Sequence, residues 1–185
     1  MKSRSLLIAL ASLLFCFSVK AQTEQIIQDT FLDMKFGNVY IPANVKNSVG
    51  QRGVFNEVST SIYYKEVEFT DYSFGGYKWD FATFSFNKSN RFFEFEVSNH
   101  FTLRDDALEL YKSMVDRLGN KYYSSYTEDE YNDKCVRYDG QNGVSVLVRL
   151  TYSLSKGGSR YYYVDVDYFH NQLYREVVNS IDSEL

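Results

Sequence analysis

The sequence predicts an α+β protein in which helices pack on an antiparallel sheet built from two similar α-βββ units. Apolar and polar residues alternate on both sides of a polar turn in residues 84–97, which is the pattern of a β-hairpin with one buried face. A similar hairpin recurs at residues 152–166 with one extra loop residue. An amphipathic helical pattern lies between the two hairpins. We therefore expect pseudo-repeat units at about residues 30–100 and 101–185.

The chain begins with the pattern of a secretory signal peptide over residues 1–21. Lys2 and Arg4 precede an apolar run of residues 6–17, and short side chains lead up to the expected cleavage site. This run is too short to span a bilayer comfortably, and no later segment is apolar enough to do so. We expect export to the periplasm or the extracellular space, with residues 22–185 as a single domain. Cys16 raises lipid anchoring as an alternative, but the bulky Phe15 before it disfavours that signal.

The predicted mature chain is acidic and retains one cysteine. The whole chain has 20 basic and 24 acidic residues, and the signal contains three basic and no acidic ones, which leaves 17 against 24, or −7. Such a chain is a poor electrostatic partner for nucleic acid. Cys135 alone cannot form an internal disulfide, so the fold depends on packing, to which 17 Tyr and 15 Phe contribute.

The first unit reads as a short strand, a weak helix and three longer strands. Residues 30–36 form the short strand, and Pro42 suits the first position of a helix that nearby Asn and Gly residues weaken. Strands follow at residues 61–70, 77–86 and 92–99. Short loops between them make the strands antiparallel neighbours.

Two details of the first hairpin can be predicted from its pattern. The apolar phase changes within the middle strand, which indicates a β-bulge near residues 81–83. In the turn-proximal pairs, we expect Phe84 to face Phe95 and Phe86 to face Phe93.

The second unit opens with the strongest helix signal in the chain, at residues 103–118. Thr102 is the predicted N-cap and Gly119 the predicted left-handed C-cap. Three strands follow, beginning at residue 135, and a short closing helix follows them, as the spacing of the apolar residues 173–181 indicates.

The second hairpin also allows a prediction of register. If it pairs like the first, Leu154 faces Tyr162 and Leu150 faces Val166. Arg149 would then lie opposite Asp167 on the outer face of the sheet. Such a pair stabilises by well under about 1 kcal/mol if it is exposed.

The order of elements resembles that of small secreted bacterial proteins of the β-lactamase-inhibitor-like and outer-membrane-assembly-lipoprotein-like classes. The likeness lies in a signal peptide, a Phe36-Gly37 pair after a short first strand, and two successive α-βββ units. The first helix departs from the pattern. The resemblance implies a protein that binds other proteins or braces the cell envelope without catalysing a reaction, and it assigns no functional residue.

Residues suited to catalysis or metal binding are few and scattered. His100 and His170 are the only histidines, and neither has a second His or a Cys within helix or hairpin reach, so we predict no metal and no cofactor. Lys134 and Arg137 beside Cys135 would favour a thiolate, but a nucleophile also needs a base that folding would have to supply. A half-buried structural thiol and an intermolecular disulfide are the alternatives.

An acidic stretch at residues 128–133 is the remaining candidate for ion binding. It lacks the alternation and the glycine of an EF-hand loop, so a solvated acidic loop is the simpler interpretation.

Aromatic side chains are the best candidates for contact with a partner. In each hairpin they occupy positions that alternate away from the buried row, and others lie on the loop after the central helix. Tyrosine rings offer large contact areas with a polar tip, which suits a protein or glycan partner. The alternative is that helices or the neighbouring unit cover these rings. The predicted partner-binding residues are Phe92, Tyr122, Tyr126, Tyr161 and Tyr163.

Three functions follow from these observations as hypotheses. The first is a secreted, non-catalytic binding or envelope-associated module. The second is a small envelope hydrolase that uses Cys135 beside a histidine, or a set of acids. The third is a carrier of an apolar ligand in a cavity lined by Phe84, Phe95 and Tyr111.

Overall fold

The computed structural model describes residues 25–49, 52–129 and 133–183, so the predicted signal peptide and Cys16 lie outside the described residues. The elements in chain order are β1 (Thr30–Phe31), β2 (Met34–Lys35), a 3-10 turn (Pro42–Asn44) leading into α1 (Val45–Val49), β3 (Val54–Thr60), β4 (Tyr64–Phe74), β5 (Tyr77–Asn87), β6 (Phe92–Phe101), α2 (Arg104–Gly119), β7 (Ser124–Asp129), β8 (Lys134–Asp139), β9 (Val144–Leu154), β10 (Arg160–His170) and α3 (Asn171–Asp182).

Eight strands form one antiparallel sheet in the order β3-β4-β5-β6-β10-β9-β8-β7. This confirms the predicted α+β class and antiparallel sheet. Each half of the chain contributes four strands rather than the predicted three, because β3 and β7 add to the two edges. Both edge strands are almost wholly exposed, so neither shows the apolar alternation that would reveal a strand in sequence.

The two groups of strands meet where β6 pairs with β10 at the centre of the sheet. One face of the sheet, here called the inner face, packs against α2 and carries the main core. The β1–β2 hairpin also covers this face, since the Phe31 ring lies 4.5 Å from Phe95 and 5.0 Å from Tyr168. The opposite face, here called the outer face, carries α3 over a small cluster of Phe93, Leu173 and Val177.

Both long helices lie where the sequence predicts them, but their ends differ. Leu103 rather than Thr102 occupies the N-cap of α2, and no side chain caps that end. Gly119 is the last residue of α2 and is not among the residues with positive φ, so the predicted left-handed cap is wrong. At α3, His170 Nδ1 accepts a hydrogen bond from the Leu173 backbone N–H at 3.5 Å. Among the described residues, no helix is long and apolar enough to span a membrane.

A register shift near the first hairpin turn changes the face of one aromatic residue. The predicted pair of Phe84 with Phe95 is confirmed, but Phe86 pairs with Phe92 instead of Phe93. One strand therefore carries an extra residue, and such a bulge reverses the alternation beyond it. Phe92 is fully buried in the main core at 0% exposure, so its predicted position on the outer face is wrong. Phe93 lies beneath α3 instead.

The predicted change of apolar phase in β5 is present, but it involves no shift of register. Trp79 and Phe84 are both buried, whereas Phe81 between them is 37% exposed. The β4–β5 pairing keeps one register across this point, so the predicted bulge at residues 81–83 is wrong. Asp71 lies opposite Asp80 at this point and has a φ of 53°, which indicates that the two strands change face together.

The second hairpin is offset by two residues from the predicted register. Leu154 pairs with Arg160, and Leu150 pairs with Val164 rather than Val166. An offset of two preserves which face each side chain occupies, because the alternation in a strand has a period of two. Leu150 and Val164 are accordingly buried on the inner face as expected.

Candidate functional site

The outer face is only partly covered, and two groups of side chains on it are candidates for function. The first lies near the β9–β10 turn and consists of Phe81, His100, Tyr161 and Tyr163; we call it the outer aromatic patch. The second lies between α3 and the sheet, and we call it the outer cleft; its charged and tyrosine lining residues are Glu94, Arg137, Arg149, Asp167, Tyr174 and Arg175.

Strand pairing brings the members of the outer aromatic patch together. Tyr163 of β10 lies opposite His100 of β6, and the His100 ring lies 6.4 Å from the Phe81 ring. Tyr161 and Tyr163 are both partly exposed, and Ser153 Oγ donates to Tyr163 Oη at 3.4 Å. These rings thus form an adjacent set on the open part of the sheet.

An acidic residue fixes the imidazole at the edge of this patch. His100 Nδ1 lies 2.7 Å from Asp80 Oδ2, and the same carboxylate oxygen accepts the His100 backbone N–H at 2.9 Å. Both side chains are about half exposed. The pair holds the ring in one orientation beside Phe81.

The other predicted partner-binding residues lie elsewhere. Phe92 is in the core. Tyr122 follows α2 and packs at 6.3 Å from the Tyr138 ring, in a groove beside the end of that helix. Tyr126 is 52% exposed on the edge strand β7. The structure therefore places only Tyr161 and Tyr163 side by side.

Carboxyl groups from the two central strands lie in and beside the outer cleft, and Glu94 and Asp167 are the two that line it. Glu94 and Glu96 of β6 and Asp165 and Asp167 of β10 alternate onto the outer face, and Asp167 lies directly opposite Glu96. Directly opposed residues in a sheet have Cβ atoms about 4.5–5.5 Å apart. Arg149 of β9 lies opposite Asp165. One guanidinium thus lies among four carboxyl groups.

The ion pair of Arg149 with Asp167 forms along the diagonal of the ladder, not between opposed residues as predicted. Arg149 Nη2 lies 2.8 Å from Asp167 Oδ2, and the side chain of Asp167 is only 4% exposed. The pair is therefore only half exposed, because Asp167 is buried while Arg149 is 40% exposed. Removal of one charge would leave its partner desolvated and unpaired. Asp165 has a different partner, because Ser98 Oγ donates to its Oδ1 at 2.6 Å.

Burial and mutual repulsion shift the titration of this cluster towards neutral pH. Burial, reinforced by the charges of Glu96 and Glu66, raises the pKa of Glu94 to about 8. Burial and the nearby Asp165 raise the pKa of Glu96 to about 7. The pKa of Asp167 is raised as well, chiefly by burial. The cluster therefore holds protons at pH values where surface carboxyl groups have lost theirs.

The cleft itself has a volume of about 320 Å³ and carries charges of both signs. The charge of Arg137 is neutralised by Asp139, because Arg137 Nε lies 2.7 Å from Asp139 Oδ1. The Arg137 guanidinium also stacks over the Phe169 ring at 5.4 Å. Asn171 Oδ1 also accepts from Arg137 Nη2 at 3.2 Å, which ties the start of α3 to the sheet. Tyr174 lines the cleft on the side of α3, and its ring lies 4.9 Å from that of Phe169.

The cysteine and the two histidines that the sequence offers for nucleophilic catalysis are far apart. Cys135 of β8 is half-buried, and burial raises the pKa of its thiol, which opposes the thiolate that neighbouring basic residues would favour. His100 is on β6, three strand spacings or at least about 14 Å away. His170 is five residues from Cys135 along the strand direction, about 16 Å, because it pairs with Val144 while Cys135 pairs with Arg149. No Cys–His pair is assembled among the described residues.

No metal site is built from the part of the chain that the structure describes. None of its His, Cys, Asp and Glu side chains form a group of three suited to a metal ion. In the acidic stretch, Asp129 is paired with Lys134, while Glu130 lies outside the described residues.

Sequence reasoning missed the carboxylate cluster, although a signal for it exists. Glu94 and Glu96, like Asp165 and Asp167, alternate with core residues in strands that carry almost no other charges. Only the pairing of β6 with β10 brings the two sets together, and that pairing joins residues about seventy positions apart.

Comparison with known proteins finds no matching family model, no similar curated protein and no similar solved structure.

Proposed function

We propose that the chain is an exported, non-catalytic binding or envelope-associated module that contacts its partner through the outer aromatic patch. The observation that supports this most directly is the adjacency of Tyr161, Tyr163, Phe81 and His100 on a part of the sheet remote from α3. Partly exposed aromatic rings of this kind give large contact areas at low entropic cost. A protein surface or a glycan is the partner that such rings suit.

Site-specific photo-crosslinking tests this function in the producing cell. A benzophenone side chain placed at Tyr163 should yield a discrete adduct, and Phe81→Ser should weaken its formation. The same group placed at Tyr123, which is 62% exposed after α2, is the matched control. If the partner is a glycan, a glycan array should retain the wild type and retain Tyr161→Ala less. The proposal is wrong if position 163 gives no adduct beyond those at position 123 and no glycan is retained.

A second candidate function is acid–base hydrolysis in the outer cleft. It is favoured by the neutral-range pKa values of Glu94, which lines the cleft, and of Glu96, two residues along β6, since a protonated acid and an ionised carboxylate on one face of the sheet can divide the roles of acid and base. Glu94→Gln should then abolish turnover of a chromogenic glycoside or ester that the wild type cleaves. Cys135 has no such support from its surroundings.

The apolar-carrier hypothesis receives no support from the packing around its predicted residues. Phe84 and Phe95 are fully buried and their ring centroids lie 4.8 Å apart, so side chains occupy the space that a ligand would need.

We also propose that the two halves of the chain are a structural repeat. Support comes from the mirrored strand order, in which β3 to β6 and β7 to β10 each run from an edge to the centre. A helix precedes each group, as the predicted α-βββ units require, although each group has four strands.

A further inference from the structure

The outer cleft carries two ionisable side chains of opposite sign that have no ion-pair partner among the described residues, although Glu94 is hydrogen-bonded to Ser85. Arg149 is paired with Asp167, and Arg137 with Asp139. Among the described residues, Glu94 and Arg175 form no ion pair within 4.0 Å, yet both line the same cleft. A carboxylate and a guanidinium that face one cavity without contacting each other favour a ligand that is itself doubly charged.

Two residues that line the cleft also carry buried polar atoms that lack a hydrogen-bond partner among the described residues. Arg149 Nε, a donor, and Asp167 Oδ1, an acceptor, have no hydrogen-bond partner in the described part of the chain. Both residues line the cleft, and Asp167 is 3% exposed. An unsatisfied buried polar group destabilises the folded protein. Because both atoms are closed to solvent, a ligand or a water can pair with them only after the two side chains shift on binding.

The size and the walls of the cleft limit the ligand to a small molecule. A volume of about 320 Å³ lies at the lower end of small-molecule sites. Leu147 and Tyr174 supply apolar surface between the charged groups. We propose that the outer cleft binds a free α-amino acid as its zwitterion, with the ammonium group at Glu94 and the carboxylate at Arg175.

This site is separate from the outer aromatic patch and does not depend on it. Asp167 and Tyr163 lie four residues apart on β10, or about 13 Å. A partner at the patch and an amino acid in the cleft can therefore be tested independently, and failure of one proposal leaves the other intact.

Calorimetric titration with the twenty free amino acids, each at millimolar concentration and pH 8.5, tests the proposal, because Glu94 with its pKa of about 8 is mostly ionised at that pH while most free amino acids keep their ammonium group. At least one should bind. Its N-acetyl derivative, which lacks the ammonium group, and its primary amide, which lacks the carboxylate, should each bind at least tenfold more weakly. The absence of binding by all twenty, or equal binding of either derivative, would overturn the proposal.

Two variants, each of which removes one charge, identify which residue binds which charged group of the ligand. Glu94→Gln should remove the discrimination against the N-acetyl derivative but keep that against the amide. Arg175→Gln should do the reverse, and it is exposed, so the fold should tolerate it. Arg160→Gln, outside the cleft, is the matched control and should keep both. Discrimination that survives both variants, with unchanged melting temperatures, places the ligand elsewhere and contradicts the proposal.

Discussion

Two adjacent phenylalanines illustrate how much one residue of register can decide. Strict alternation assigns Phe92 to the outer face and Phe93 to the core. The register shift between Ser85 and Phe86 exchanges these roles, so Phe92 enters the main core and Phe93 supports α3. Hydrophobicity alone cannot distinguish the two positions, because both rings end up buried.

Substitution of Phe92 should therefore affect stability rather than partner binding. Phe92→Ala removes a fully buried ring and should lower the free energy of unfolding by about 3–5 kcal/mol. Tyr161→Ala, on the partly exposed outer position, should cost less than about 1 kcal/mol. Urea denaturation of both variants measures this contrast, and comparable losses would contradict the assigned faces.

The carboxylate cluster makes a prediction about pH. The folded-state pKa of Glu94, about 8, exceeds its ordinary value of 4.5, so the folded protein binds more protons than the unfolded chain between those pH values. The stabilisation is fully present below pH 4.5 and is lost as pH rises to 8. We expect Glu94 to account for a decrease of at least about 1 kcal/mol in the free energy of unfolding across this window.

Denaturation at a series of pH values checks this expectation. Glu94→Gln should flatten the decrease between pH 5 and pH 8, since the amide does not titrate. Glu109→Gln, on the exposed side of α2, is the control and should leave the profile unchanged. An identical pH profile for the wild type and Glu94→Gln would mean that Glu94 titrates normally in the folded state.

Among the larger elements, α3 depends on few contacts. Its buried side chains, Leu173 and Val177, meet Phe93 in a cluster separate from the main core. The helix should therefore open without unfolding the sheet, since local stability follows local burial.

Truncation of this cluster should release the helix selectively. Leu173→Ala should cost about 2–3 kcal/mol and accelerate amide exchange in α3 while β6 and β10 remain protected. Leu103→Ala, at a residue that is 62% exposed, should change neither. Hydrogen exchange read by mass spectrometry separates the cases, and uniform acceleration throughout the sheet would show that α3 belongs to the global folding unit.

At the scale of the whole molecule, the β6–β10 pairing should make the two halves one cooperative unit. Val97 pairs with Val166 at this junction, both are buried, and the inner-face core continues across it. We expect calorimetric and van't Hoff enthalpies of unfolding to agree. Separate fragments covering residues 22–101 and 102–185 should each fail to melt cooperatively. Two resolved transitions, or a folded fragment, would instead indicate two domains.

The sequence by itself determined the elements whose signal is local. The alternation in β5, β6, β9 and β10 and the helical period of α2 predict these elements and their antiparallel arrangement, because each buries one regular face. Even the two-residue error in the β9–β10 register left every face correctly assigned.

Tertiary structure alone decided the features that depend on long-range pairing. The edge strands β3 and β7 carry no buried row, so only hydrogen bonds to β4 and β8 identify them. The bulge that buries Phe92 depends on which β5 residue it meets. The outer cleft depends on the junction of β6 with β10 and on the return of α3 over it. Charges that are far apart in sequence form one cluster because folding places them on neighbouring strands.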